Sequence, residues 1–145
     1  MADIRVLYFD VRHALAVQAW IIERSGGRPG LLSRDQLESP LEHIKNDDYY
    51  PDFLSKLTFL VYAINKNHAF NDGNKRSSIA LGAYFMELNG YDYAVQRFVR
   101  EMENVAVWVA DNKIDRDLLG RIIESLIYEE EYPESLKLDI ITATS

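Results

Sequence analysis

Hydrophobic positions recur along most of this chain at intervals of three and four, the period of an α-helix, and stretches alternating by twos are few and short. From Asp10, a residue suited to cap a helix, the pattern runs to about Arg24 with Val11, Leu15, Ala19 and Ile22 on one side. Gly26-Gly27-Arg28-Pro29-Gly30 breaks it and reads as a loop. Ser33-x-x-Gln36 has the form of a capping box and starts a short helix. Ser39-Pro40-Leu41-Glu42 is a second such start, with Pro40 at the first helical position. Phe53, Leu57, Leu60, Val61 and Ile64 line a helix ending near Asn67. Ile79, Ala80, Ala83, Tyr84, Met86 and Leu88 line another, closed by Asn89-Gly90. Helices near 95–111 and 115–130 follow, the second capped by Asp115. Val6-Leu7-Tyr8-Phe9 is a short strand or an extended lead-in, and residues 45–51 are a loop or a small hairpin. The tail 133–145 has no clear pattern. The expectation is one all-α domain over residues 1–145, with about six to seven helices.

Composition narrows this reading without changing it. A chain of 145 residues with 48% hydrophobic and 27% charged residues suits a single domain with a real core. The absence of cysteine removes disulfides and thiol catalysis and fits a reducing compartment. No apolar run nears the roughly 18–20 residues of a membrane span. The start, Met1-Ala2-Asp3-Ile4-Arg5, lacks the basic stretch and apolar core of a signal peptide, so the expected location is the cytoplasm. A net charge of -7 argues against nucleic acid or an anionic membrane as a general partner. It leaves room for a local basic site that binds one nucleotide.

The chemistry concentrates in His68-Ala69-Phe70-Asn71-Asp72-Gly73-Asn74-Lys75-Arg76. A helix opening at Gly73-Asn74 offers backbone N–H groups that have no internal partner, at the positive end of the helix dipole, and so forms an anion site. Glycine there lets a ligand approach the backbone. Lys75 and Arg76 fall in the first turn, where cations are disfavoured unless a bound anion reverses the sign. Asp72 suits Mg²⁺, which prefers one or two carboxylates with phosphate oxygens and water. His68, four residues earlier, titrates near neutrality and can take a proton from an attacking hydroxyl. Together these residues predict transfer of a phosphate-containing group from a nucleotide to a hydroxyl.

The segment resembles the motif of the Fic/Doc family, His-x-Phe-x-Asp/Glu-Gly-Asn-Gly/Lys-Arg, at all seven specified positions. Leu32 to Pro40, Tyr49-Tyr50, Asn67 and Glu87-Leu88-Asn89-Gly90-Tyr91 are similar to the death-on-curing (Doc) branch, and the likeness covers roughly residues 4–127. The resemblance implies a small helical domain that uses ATP and Mg²⁺ to modify a protein hydroxyl. It assigns His68 as base, Asp72 to the metal, and the backbone of Gly73 and Asn74 with Arg76 to phosphates; Phe70 becomes a core anchor. In the Doc branch a lysine stands where Lys75 does, and the γ-phosphate goes to a threonine of a translation factor, elongation factor Tu. Residues 45–51, with Asp47, Asp48, Tyr49 and Tyr50, correspond to a flap that aligns the target. A cognate antitoxin is the implied partner.

Three departures from the pattern bear on the reaction. Ala69 replaces a frequent proline. Gly73 is the residue of AMP-transferring members, where Doc has alanine. Ile79 stands where many members carry a second arginine that serves the AMP-transfer orientation. The expected activity is therefore phosphorylation of Thr or Ser; AMP transfer to Ser, Thr or Tyr and a catalytically silent partner-binding domain are the alternatives. Zinc is excluded by three histidines with no cysteine and no ligand spacing, and His13 and His43 are structural or solvent-facing. An inhibitory helix of the family is matched by Ser125 to Glu129, but Glu130 fails its last position, so a separate antitoxin is expected.

Overall fold

Asp10, Ser33, Asp52 and Asp115 each accept a hydrogen bond from a backbone N–H three residues on, and a helix starts after each. In the computed structural model, which describes residues 5–145, these helices are α1 (Val11–Ser25), α2 (Arg34–His43), α3 (Phe53–Lys66) and α6 (Arg116–Tyr128). The others are α4 (Asn74–Leu88), α5 (Val95–Ala110) and α7 (Glu134–Thr144), with a 3-10 turn at Asp92–Ala94. The fold is all-α, and among the described residues no strand forms. No described helix is long and apolar enough to cross a membrane.

Helix α3 is the axis of the domain, packed against α2, α4, α5 and α6. Its apolar stripe, Leu57, Leu60, Val61 and Ile64, meets Leu81, Phe85 and Met86 of α4, Phe98 and Met102 of α5 and Leu119, Ile122 and Ile123 of α6, all buried in one cluster. Gly82 lets α4 approach this closely: a Cβ there would lie 2.8 Å from Val61 Cγ2 and 3.0 Å from Phe98 Cζ.

Several expectations need correction. The helices at 33–36 and 39–42 are one helix, α2, with Pro40 inside it. A proline has no N–H to give the carbonyl four residues back. Here that carbonyl, of Gln36, accepts instead from Asn67 Nδ2 at 3.2 Å, so a tertiary bond repairs the helix. On α1 the buried positions are Val11, Ala14, Gln18, Ile21 and Ile22, while Ala19 is exposed. Residues 6–9 form no strand, although Leu7 exchanges both backbone bonds with the Asn89 amide, at 2.8 and 3.0 Å.

Residues 45–51 form turns rather than a hairpin: Asn46 Oδ1 accepts from Asp48 and Tyr49, and Tyr50 N–H closes on the Asn46 carbonyl. The unpatterned tail is α7, pinned by buried Leu136 and by Arg121–Asp139 at 2.6 Å. Residues 1–4, on which the reading of the chain's start rests, lie outside the described residues.

Replacing Gly82 with alanine should overpack the α3–α4–α5 junction. The expected loss is about 1–3 kcal/mol of unfolding free energy, read from a denaturant titration with an unchanged slope.

Candidate functional site

Residues 67–73 join α3 to α4, and almost every one of them is fixed. Asn67 caps α3, and His68 follows in the left-handed region at φ 51, a conformation that residues with a side chain adopt uncommonly. The strain is of order 1–3 kcal/mol. It turns the chain sharply and leaves His68 exposed. Phe70, 1% exposed, anchors the turn in the core. Asn74 then closes it: its Oδ1 accepts from Phe70 N–H at 3.2 Å and its Nδ2 donates to the Phe70 carbonyl at 3.1 Å.

The loop of residues 26–33 straps this turn from outside. Leu32 and Ser33 N–H donate to the Ala69 carbonyl at 2.7 and 3.1 Å, and Asn71 N–H donates to the Gly30 carbonyl at 3.0 Å. An isolated antiparallel bridge pairs Leu31 with Phe70.

Helix α4 starts at Gly73, at φ 75, with no side-chain cap. Its first internal bond runs from Ser77 N–H to the Gly73 carbonyl, so the N–H groups of Asn74, Lys75 and Arg76 have no backbone partner. Lys75 is exposed; Arg76 reaches the Gly26 carbonyl at 3.4 Å. Neither takes part in an ion pair among the described residues. Three N–H groups, a helix dipole and two cations outside any ion pair among the described residues thus share one place, which is the electrostatics of an anion site.

Asp72 stands at its edge. Its Oδ1 accepts from Gly73 N–H at 2.8 Å and its Oδ2 from Arg28 N–H at 3.2 Å. Those two backbone bonds, Gly73 first, outweigh the opposing effect of burial and hold the carboxyl below the usual aspartate range, with help from Arg76 and Arg28. Among the described residues no cluster of three or more His, Cys, Asp or Glu could hold a metal ion alone. One ionised carboxylate beside an anion site does fit Mg²⁺, which takes its remaining ligands from phosphate and water.

A pocket of about 430 Å³ gathers all six residues expected from the motif: His68, Asp72, Gly73, Asn74, Lys75 and Arg76. Two qualifications follow from the bonds. Gly73 N–H is engaged by Asp72, and the Asn74 side chain is engaged by Phe70, which leaves Asn74 only its backbone for a ligand. Asp47, Asp48, Tyr49 and Tyr50 do not line this pocket. Tyr49 and Tyr50 border a separate groove of about 370 Å³ with Thr58 and Arg116. Asp47 instead pairs at 2.7 Å with Lys56, a buried lysine that also donates to the Ile44 carbonyl at 2.6 Å. Burial pulls the Lys56 ammonium toward neutrality, but its bonds to Asp47 and Tyr8 prevail and its pKa is raised. Ile79 is half-buried against the core and brings no cation to the pocket.

Residues that pattern reading passed over belong here too. Gln18 of α1 donates to the Asp72 carbonyl at 3.3 Å. Gly27 lies so close that a Cβ would sit 2.7 Å from Asp72 Oδ2. Asn65 lines the pocket from α3, with Nδ2 on the Ala106 carbonyl at 2.9 Å. The available signal for Gln18 was its position: a polar residue in the apolar stripe that Val11, Ala14 and Ile21 define.

The sequence profile of the Fic/DOC family matches residues 8–86, which hold the motif and the loop that straps it. Over 73 residues the chain is 34% identical to the protein named Toxin Doc of Mycolicibacterium smegmatis. That stretch is 50% of this chain and 56% of that protein, so the chain spans little more than half the length of this relative.

Because its folded pKa is depressed, Asp72 contributes stability above the unfolded value of about 3.9 that disappears as pH falls through the folded value. Carboxyl ¹³C shifts followed through an acid titration should place the Asp72 midpoint below 3.9. The Asp72→Asn protein should lose less stability than the wild type on going from neutral pH to pH 3.

Proposed function

Because this chain belongs to the Fic/DOC family, we propose that it transfers a phosphate-containing group from ATP to a protein hydroxyl. Members of the family are transferases acting on proteins. The observation that carries the proposal is the meeting, in one pocket, of an exposed histidine, an ionised carboxylate and an uncapped helix start bearing two unpaired cations.

In this reading the N–H groups of Asn74, Lys75 and Arg76, with both side-chain cations, bind the phosphates. Asp72 would hold Mg²⁺, which when bound would supply neutralisation of phosphate charge. His68 takes the proton as the target's hydroxyl oxygen bonds to phosphorus and the bond to the leaving phosphate breaks. We assign the transferred group as the γ-phosphate, with ADP leaving, and the acceptor as Thr or Ser of a translation factor such as elongation factor Tu. Lys75 and the apolar Ile79 support that orientation. Gly73 supports a second reading, AMP transfer with loss of pyrophosphate, since its left-handed φ suits the glycine of AMP-transferring members. For aligning the target we assign residues 45–51, with Asp47, Asp48, Tyr49 and Tyr50; loop 26–33, hydrogen-bonded to the turn that carries His68, is a second candidate.

Regulation is assigned to a separate antitoxin, and the location to the cytoplasm. The name of the mycobacterial relative supports a toxin role. No residue of 125–129 lines the pocket, which supports control from outside the chain.

Incubation with bacterial lysate and ATP labelled at the α- or the γ-position distinguishes the readings. Label on the target from γ alone is expected; label from α alone would establish AMP transfer instead. His68→Ala should reduce transfer by about 10²–10⁴-fold with an unchanged circular dichroism spectrum. Transfer from neither position, without any inhibitor present, would leave a partner-binding domain.

A further inference from the structure

Gln18 is the one polar residue among the buried positions of α1, and it is 4% exposed. A primary amide in an apolar stripe is unfavourable unless its hydrogen bonds are made. The Nε2 donates, across 54 positions of sequence, to the carbonyl of Asp72. That carbonyl belongs to the peptide plane joining Asp72 to Gly73. The other end of the same plane, Gly73 N–H, donates to Asp72 Oδ1. One peptide is therefore clamped at both ends, and the clamp sets the direction of the carboxylate and of the first turn of α4 together. The second carboxylate oxygen is held by Arg28 N–H, with Gly27 flush against it.

We propose that Gln18 is a positioning residue for the Asp72 carboxylate: through the 72–73 peptide it presets the group that holds the metal. The proposal rests on the assignment of Asp72 to the metal, and on no contact between Gln18 and any ligand. Without the Gln18 bond, glycine at 73 lets the plane rotate. Gly73 N–H then leaves Oδ1, and the carboxylate must be ordered by the cation itself. Partners that orient a metal ligand without touching the metal contribute about 10–100-fold in affinity.

Gln18→Met keeps the length of the side chain and removes the donor; Gln18→His restores an N–H at similar reach. The first readout is amide hydrogen exchange at Gly73 and Arg28 in metal-free protein. The second is Mn²⁺ affinity in the presence of ADP, by electron paramagnetic resonance, with Asp72→Ala as control. The methionine variant should melt near the wild type, lose protection at Gly73 by tenfold or more, and bind Mn²⁺ about 10–100-fold more weakly. The histidine variant should recover both. Wild-type protection at Gly73 in a folded methionine variant overturns the proposal, as does unchanged Mn²⁺ affinity where Asp72→Ala abolishes it. If the wild type binds Mn²⁺ no better than Asp72→Ala, the metal assignment fails, and exchange at Gly73 alone decides the part played by Gln18. Should the methionine variant not fold, the histidine variant decides: protection retained supports the clamp, and protection lost from an intact fold overturns it.

Discussion

Asn74 spends both ends of its side-chain amide on the backbone of Phe70, and the site depends on that pair of bonds. A helix normally begins with a side chain that caps its first N–H groups. Here the residue before the helix is glycine, which has none, and the residue after it turns its amide back to close the loop. The turn is thus held in place by Phe70 in the core and by Asn74 across its mouth, while the N–H groups of the helix start stay free. Rigidity and an open anion site ordinarily compete for the same donors. In this turn they draw on different ones.

The electrostatics follow the same division. Lys75 and Arg76 sit at the positive end of α4, an arrangement that is unfavourable until an anion arrives. Asp72 is kept ionised chiefly by two backbone N–H groups, with Arg76 and Arg28 assisting from a distance, and among the described residues it forms no ion pair. The pocket is left with a surplus of positive potential at the helix start and a fixed negative charge at its edge. That arrangement suits a polyphosphate carrying a divalent cation better than either component alone.

Much of this was legible because local rules and tertiary packing agree. The stripe of α3 and the caps at Asp10, Ser33 and Asp115 lie in single segments, and helices begin where those caps predict. The six motif residues fall within nine positions, so a short turn was enough to bring them together. What was not legible depends on partners distant in sequence. Pro40 reads as a helix start unless Asn67 is known to take the bond it forfeits. Residues 45–51 read as a loop or hairpin unless Lys56, nine positions on, is seen to hold Asp47 at their beginning. Gln18 carries no motif, and only the stripe it interrupts marks it. The tail lacked a strong period because α7 buries little beyond Leu136, and a helix that packs by a narrow contact leaves a faint pattern.

The left-handed backbone at His68 has an implication for selection. Glycine or asparagine would relax that residue, as they do at other helix ends. A search of variants judged only by thermal resistance or expression would therefore favour replacing the histidine, and each success would remove the proposed base. At this position, evolution toward a sturdier fold and evolution toward a working site run in opposite directions.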